Sequence, residues 1–213
     1  AFLLQGLPGR EYWLTAIMAA RFLATAFSAG PALLLVLALL TKKITGFDVG
    51  AKAIDTIAKI VIYAFIINML LFGFELFTAF YSGIHSHQAP YLYLFFGYEG
   101  HTEYVSLMWA SMILAAIALI LLIPTATRRN EVTLTLGCLS LIISVWIEKG
   151  LILMIGGFTP NVFHTITPYT PTFPEFMVAV GVWSVGFTVV TILWKVAISV
   201  YQAKEKGVFI KSS

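Results

Sequence analysis

Charged residues are scarce in this chain. Lysine, arginine, aspartate and glutamate together make up 11% of its 213 residues, whereas 60% are hydrophobic. A mean hydropathy of +0.92 excludes a soluble globular domain. The composition therefore predicts an all-α membrane protein with several transmembrane helices, surrounded by a lipid bilayer and without a nucleic-acid partner.

Cysteine is almost absent as well. The single cysteine, Cys138, lies within an apolar run. This excludes a disulfide framework, CxxC haem attachment and a cysteine-ligated iron–sulfur cluster in this chain. Phosphate-binding loops, dinucleotide fingerprints and nucleophile motifs are also missing. Any redox centre of these kinds would have to belong to a partner protein.

Histidine is missing from every long apolar run. His85, His87 and His101 fall in one connection and His164 falls in another. A b-type cytochrome holds its haem with axial histidines inside its helices, so we expect no membrane haem here. The four histidines are candidate outer-loop site residues, but their spacing does not match a recognisable metal site. We therefore expect no metal and no covalently bound cofactor.

Five runs are long enough to cross a bilayer, which requires about 20 apolar residues. Glycine, proline or charge separates each run from the next. The whole chain is expected to form one transmembrane helical bundle. The predicted spans are 13–40, 57–82, 104–125, 132–157 and 175–201.

Lysine and arginine are absent from two of the connections, 83–103 and 158–174, whereas the other connections and the tail are rich in them. Because basic residues concentrate on the cytoplasmic side, we expect the N-terminus outside, the C-terminus in the cytoplasm and the protein in the cell (cytoplasmic or inner) membrane. The 158–174 connection holds four prolines. Either a simple loop or a partner-docking surface would suit such a segment.

The opening stretch AFLLQGLPG has no basic n-region and no small-residue cleavage site. We therefore expect the sequence to begin inside a longer chain. Five spans that enter from outside match the second half of a ten-span subunit. A self-contained five-span protein remains an alternative.

Four ionisable residues interrupt the apolar runs: Arg21, Glu75, Glu148 and Lys149. At a rise of about 1.5 Å per residue, all four fall about 10–13 Å below the expected outer ends of their spans. Four independent charges facing lipid would cost on the order of 10 kcal/mol. They are therefore expected to pack together inside the bundle.

Hydroxyl and amide residues recur at helical spacing beside these charges, which predicts polar seams on four of the five spans. Such seams are often no more than packing and hydrogen bonding between helices, and the charges themselves could form a structural ion pair. The functional alternative is that Glu75 and Glu148 exchange protons with something that arrives from the outer side. The seam residues are Arg21, Thr25 and Ser28; Asn68, Glu75 and Thr78; Thr133, Gly137, Ser140, Ser144 and Glu148; and Ser184, Thr188, Thr191 and Lys195.

Several motifs resemble the NrfD/PsrC-type membrane subunits, and most closely their DsrP-like branch. The motifs are GREYW (9–13), ELFTAFYSG (75–83), WIEKGLILMIGGFTPN (146–161) and ITPYTPTFPEF (166–176). The resemblance implies paired helical bundles without a cofactor of their own and an iron–sulfur partner on the outer face that exchanges electrons with menaquinone or another quinone. It further implies other membrane and cytochrome subunits, as in complexes of sulfate respiration.

By this resemblance the chain matches the C-terminal half of a subunit of about ten spans, whose quinone pocket is usually attributed to the N-terminal bundle. Glu75, Glu148 and Lys149 carry over by position as candidate residues of a proton path or a quinone-pocket wall, and Arg21 joins them from its depth alone. The expected function is thus a non-autonomous subunit of a quinone-linked oxidoreductase complex.

Two other classes of protein stay open. Half of a secondary transporter would place an ion or solute site at the buried charges, between helices broken at Gly30–Pro31 and Gly156–Gly157. A passive anchor for soluble subunits would have no use for buried charges.

Overall fold

The computed structural model describes residues 2–7, 9–158, 166 and 172–205. Over these residues the chain is helical, with no β-strand. Five helices are long and apolar enough to cross a membrane, which confirms the predicted all-α membrane fold. They are Met18–Thr45, Ala51–Tyr81, Val105–Leu122, Glu131–Phe158 and Phe173–Tyr201.

The chain divides into two compact units, Ala1–Pro168 and Tyr169–Ser213. The first unit contains four of the long helices. Its elements in order are α1 (Phe2–Gln5), a 3₁₀ turn (Glu11–Trp13), α2 (Met18–Thr45), α3 (Ala51–Tyr81), α4 (His85–Phe95), α5 (Val105–Leu122), α6 (Thr125–Arg128), α7 (Glu131–Val145), a π-helical turn (Trp146–Ile152) and α8 (Leu153–Phe158).

The first span begins at Met18, five residues later than the sequence predicted. The reason is that Trp13 does not continue the helix. Its indole Nε1 donates a 2.8 Å hydrogen bond to the carbonyl oxygen of Leu153, and the ring is fully buried. Arg21 consequently lies in the first turn of α2 and closer to the end of its span than predicted.

The connection 83–103 was predicted as a loop, but residues His85–Phe95 form the helix α4. Pro90 lies inside this helix, and Ala89, Tyr91, Tyr93 and Leu94 are buried. A connection whose aromatic residues face the bundle is stabilised by packing rather than by helix propensity. We call the end of the bundle on which α4 packs the α4 end.

The Gly30–Pro31 pair does not break the first span, because α2 continues through both residues to Thr45. This expectation of the transporter interpretation is therefore wrong for the first span. The fourth span is interrupted instead, at the π-helical turn Trp146–Ile152. An interruption of this kind shifts the helical face that follows it, and π-helical turns occur often at functional sites.

The opposite end of the bundle, which we call the α6 end, gathers charged residues from four helices. Lys42 Nζ lies 2.7 Å from both Asp48 and Glu131, and Arg128 Nε lies 3.1 Å from Asp55. Asp48 is well exposed, and its hydrogen bond from Lys42 lowers the pKa of the carboxyl group. Exposed ion pairs contribute little to stability. Their position shows that the α6 end of the bundle is polar, in contrast to the apolar core.

Cys138 lies in that apolar core and is fully buried. We expect its thiol to resist membrane-impermeant thiol reagents in intact cells, because a thiol in apolar surroundings has little reactive thiolate. Mass spectrometry of the labelled protein measures this, with Ser82→Cys at the exposed end of α3 as a reactive control. Rapid labelling of Cys138 from outside would contradict the fold.

The second unit contains one long helix, α9 (Phe173–Glu205). Thr172 and Glu175 form its N-terminal capping interaction, in which Glu175 accepts hydrogen bonds from the backbone amide and the hydroxyl of Thr172 at 2.7 and 2.8 Å. The hydroxyls of Ser184, Thr188 and Thr191 donate to backbone carbonyls four residues earlier in α9. The hydroxyl donors of the predicted polar seam are therefore hydrogen-bonded within α9 itself.

Candidate functional site

The candidate site is built around Arg21, which bridges two carboxylates from two other helices. One terminal guanidinium nitrogen donates to Glu75 Oε2 and the other donates to Glu148 Oε1. Only 2–4% of the surface of each of these three residues is exposed. Such a buried arrangement needs both carboxylates, because a charge that loses its partner inside the bundle is strongly destabilising.

Lys149 completes the cluster from the π-helical turn. Its Nζ lies 3.4 Å from Glu148 Oε1 and 5.4 Å from the centre of the Phe22 ring. The Arg21 guanidinium is also 4.5 Å from the centre of the Phe72 ring. With two cations and two anions the cluster has no net formal charge, and ring faces stabilise both cations. We call Arg21, Glu75, Glu148 and Lys149 the charge cluster.

The π-helical turn explains how two adjacent ionisable residues both reach the cluster. Glu148 is buried and Lys149 is nearly so, although neighbours in an α-helix point about 100° apart. The wider turn at Trp146–Ile152 changes this geometry. The sequence predicted the four members of the charge cluster and their association, but its regular i, i+4 pattern did not predict the π-helical turn.

Aromatic residues cover the cluster on the α4 end, and the sequence did not predict their role. Tyr12 and Tyr91 are buried and pack edge to face, with ring centroids 5.3 Å apart. Burial and the nearby Glu75 carboxylate raise the pKa of the Tyr91 phenol above its ordinary value. Tyr91 therefore stays protonated and able to donate a hydrogen bond. The only sequence signal was the aromatic pair in GREYW.

Trp13 is held in place by a glycine in α8. A Cβ atom on Gly157 would lie 1.8 Å from Cε2 of the Trp13 ring, so this position accepts no larger residue without a rearrangement. The Gly156–Gly157 pair therefore leaves the space in which aromatic rings pack against α8. It is not a break in the span, because α8 runs through both residues to Phe158.

A cavity of about 250 Å³ leads from the α4 end to Glu75. Its polar lining comes from Thr15, Glu75, Thr78, His87 and Tyr91. Its apolar lining comes from Leu14, Ala16, Ile17 and Ala79. Carboxylate, phenol, imidazole and hydroxyl groups can all exchange hydrogen bonds with water or with a carbonyl oxygen of a bound molecule. The cavity therefore gives Glu75 a polar approach route from one end of the bundle.

Further polar residues lie deeper in the bundle than the charge cluster. Ser111 and Ser144 are buried, and each hydroxyl donates to the other residue's backbone carbonyl, at 3.0 and 2.9 Å. Asn68 is fully buried, and neither polar atom of its side chain has a hydrogen-bond partner in the described part of the chain. The same holds for Glu148 Oε2 and Arg21 Nε. Ser111 stands alone in an apolar run, so no periodic signal predicted it.

The three described histidines of the 83–103 connection have different surroundings. His87 lines the cavity, and His85 is exposed at the start of α4. His101 Nδ1 lies 3.0 Å from Glu103 Oε1, and this contact lowers the pKa of the Glu103 carboxyl group. Among the described residues, no group of three histidine, cysteine, aspartate or glutamate side chains is placed to hold a metal ion. His164 lies outside the described residues.

A family model described as "Polysulphide reductase, NrfD" matches residues 1–161, which is well over half of the chain. The chain belongs to the NrfD family. NrfD proteins are membrane subunits of redox complexes. A comparison with curated proteins finds no match. The NrfD match includes the whole charge cluster and the cavity, and it ends before α9.

Proposed function

We propose that this NrfD protein is a membrane subunit of a quinone-linked redox complex, and that its charge cluster handles the protons that accompany electron transfer. One observation carries the proposal. Two buried carboxylates share a single arginine, and one of them, Glu75, lines a cavity that also exposes hydroxyl, phenol and imidazole groups. An ion pair that served only the fold would not need such a cavity.

The chemistry of quinone makes this arrangement useful. Reduction of a quinone to a quinol takes up two electrons and two protons, and the reverse reaction releases them. In our proposal the electrons come from an iron–sulfur partner, since this chain has a single cysteine. The protons require groups that can bind and release them within the bilayer, and carboxylates held in a low-dielectric site suit that task.

Within the cluster we assign different tasks to the four residues. Glu75 borders the cavity and would exchange protons with it. Glu148 shares Arg21 with Glu75, and one of its carboxylate oxygens has no hydrogen-bond partner among the described residues, so it can take a second proton. Arg21 and Lys149 would stabilise each carboxylate in its ionised form after its proton leaves. The same residues would form a pocket wall if a quinone headgroup entered the cavity.

The resemblance of the sequence supports the rest of the proposal. We assign the chain to the DsrP-like branch and to the cell (cytoplasmic or inner) membrane, as the C-terminal half of a ten-span subunit. Its complex would contain an iron–sulfur protein on the outer face, at the α4 end, and cytochrome subunits, and would use menaquinone or another quinone in sulfate respiration.

Isolation of the native complex in mild detergent tests this function. Subunits are identified by mass spectrometry, and quinone is extracted and quantified against the protein. We expect iron–sulfur partners and quinone in stoichiometric amount. A protein that purifies alone, without quinone, would contradict the proposal and would favour the transporter alternative.

A further inference from the structure

We infer that the charge cluster is open to water from the α4 end only, so that this bundle is a half-channel for protons and not a path across the membrane. The inference rests on the proposed function for the use of the protons, but the route itself is argued from the distribution of polar and apolar residues in the bundle. In this inference water occupies the cavity and delivers protons to Glu75.

The open half of the bundle contains every buried polar residue that the structure describes. In α2 these are Arg21, Thr25 and Ser28, and in α3 they are Asn68 and Glu75. Ser28 and Asn68 each lie seven residues, or two helical turns, deeper than the charged residue of the same helix. Ser111 in α5 and Ser144 in α7 are the buried polar residues that lie farthest from the α4 end in their helices. Each of the four helices thus has a last buried polar residue, beyond which its buried residues are apolar.

Beyond these residues, none of the buried polar or charged side chains of the described chain is found. The buried residues there are apolar and come from α2, α3, α5 and α7. Along α2 they extend from Ala32 to Leu39, so the distance from Ser28 to the last apolar layer is about 16 Å at 1.5 Å per residue. The members of this cluster beyond the polar residues are Ala32, Leu35, Leu39, Ala58, Val61, Ile62, Phe65, Ala115, Ala118, Leu122, Leu134, Cys138 and Leu141.

Two consequences follow for water. On the α4 side, the cavity is suited to water, and so are the side-chain atoms of Asn68 and Glu148 that have no partner in the part of the chain that the structure describes. Buried water binds where several polar groups lack partners. On the α6 side, a second cavity of about 630 Å³ opens beside Lys42 and Glu131 and extends as far as Val36 and Leu139. None of the residues that line it belongs to the charge cluster or to the buried polar residues around it, and the apolar side chains between the two cavities hinder the passage of water. Protons therefore reach and leave Glu75 by the cavity lined by His87, Thr78 and Tyr91.

This restricts how the protein can couple redox chemistry to proton movement. Protons that are taken up or released at the charge cluster are exchanged with the α4 side of the membrane. Transport of protons to the α6 side would require a second route outside these four helices. The bundle alone would therefore support proton uptake or release on one side, without pumping.

Cysteine accessibility tests the inference in the membrane-embedded complex. Ala79→Cys places a thiol on the cavity wall, at a position whose residue is 6% exposed. Ala118→Cys is the matched control, since it makes the same change at a fully buried position in the apolar half. Thr78→Cys, on the same cavity wall but exposed, provides a second probe if Ala79→Cys does not assemble. A small charged methanethiosulfonate is applied to sealed vesicles of each orientation, and Cys138 is replaced by alanine in all variants.

We expect Ala79→Cys and Thr78→Cys to react from the α4 side at least about tenfold faster than Ala118→Cys from either side, because each unit of pKa increase in a dry site lowers the thiolate fraction tenfold. Equal rates at the two positions, or reaction of Ala79→Cys only from the α6 side, would overturn the half-channel. Loss of quinone-linked turnover in Glu75→Gln is measured separately. If Glu75→Gln has unchanged turnover but the expected labelling pattern is found, the proposed function fails and the half-channel stands. If Glu75→Gln has slow turnover but the cavity cysteines do not react, the half-channel fails and the proposed function stands.

Discussion

Replacement of Arg21 by glutamine is expected to destabilise the protein by about 3–5 kcal/mol, which is the usual cost of removing one partner from a buried ion pair. The effect is large because Arg21 neutralises two carboxylates from two different helices. Without it, Glu75 and Glu148 lie close together as buried carboxylates that no longer share a cation. Lys149, 3.4 Å from Glu148, can compensate for only one of them.

Thermal unfolding in detergent, followed by tryptophan fluorescence, measures this loss of stability. The informative control is the triple variant Arg21→Gln, Glu75→Gln, Glu148→Gln, which removes the partners together with the arginine. We expect it to recover most of the stability, because neutral amides can hydrogen-bond to one another without a buried unpaired charge. A single Arg21→Gln variant as stable as the unmodified protein would show that the three side chains do not form a desolvated cluster.

A second large effect is expected for Gly157→Ala, although it adds only one methyl group. The added Cβ would lie 1.8 Å from a ring atom of Trp13. The indole cannot move away easily, because it is fully buried and its Nε1 is hydrogen-bonded to Leu153. Overpacking of this kind costs about 1–3 kcal/mol and occasionally more, and we expect the upper part of that range.

The same thermal unfolding experiment tests the prediction, with Gly73→Ala as the matched control. Gly73 lies in the middle of α3, and a Cβ there meets no other atom within 4 Å. This control should be neutral or slightly stabilising, since alanine favours a helix over glycine. In the background of Trp13→Ala, Gly157→Ala should lose most of its effect. Equal stability of Gly157→Ala and Gly73→Ala would contradict the packing of Trp13 against α8.

The parts of this structure that depend on composition and spacing were predictable from the sequence. Apolar length gave five spans, and the cost of a lipid-facing charge predicted that Arg21, Glu75, Glu148 and Lys149 would associate. Both conclusions rest on energies that are large compared with any local preference. The burial of Cys138 within the fourth span followed in the same way.

Features that depend on contacts between distant segments were not predictable. The 3₁₀ turn that ends at Trp13 forms because the indole finds the Leu153 carbonyl, 140 residues away. The π-helical turn at Trp146–Ile152 lies in a sequence whose spacing suits an ordinary α-helix. Helix α4 is stabilised by buried tyrosines, and a connection predicted as a loop gave no reason to expect their burial. In each case tertiary packing overrides local propensity.

The central claim is that the charge cluster handles protons for quinone chemistry, and Glu148→Gln tests it most directly. Quinone-linked turnover of the purified complex is measured for this variant and for Glu103→Gln, a change of the same kind at an exposed site. The subunit composition of each complex is determined alongside. We expect an assembled Glu148→Gln complex whose turnover is lower by on the order of 100-fold, the lower range for loss of a general acid or base, and an unaffected control. An assembled complex with unchanged turnover would contradict the central claim, and the cluster would then be a structural ion pair.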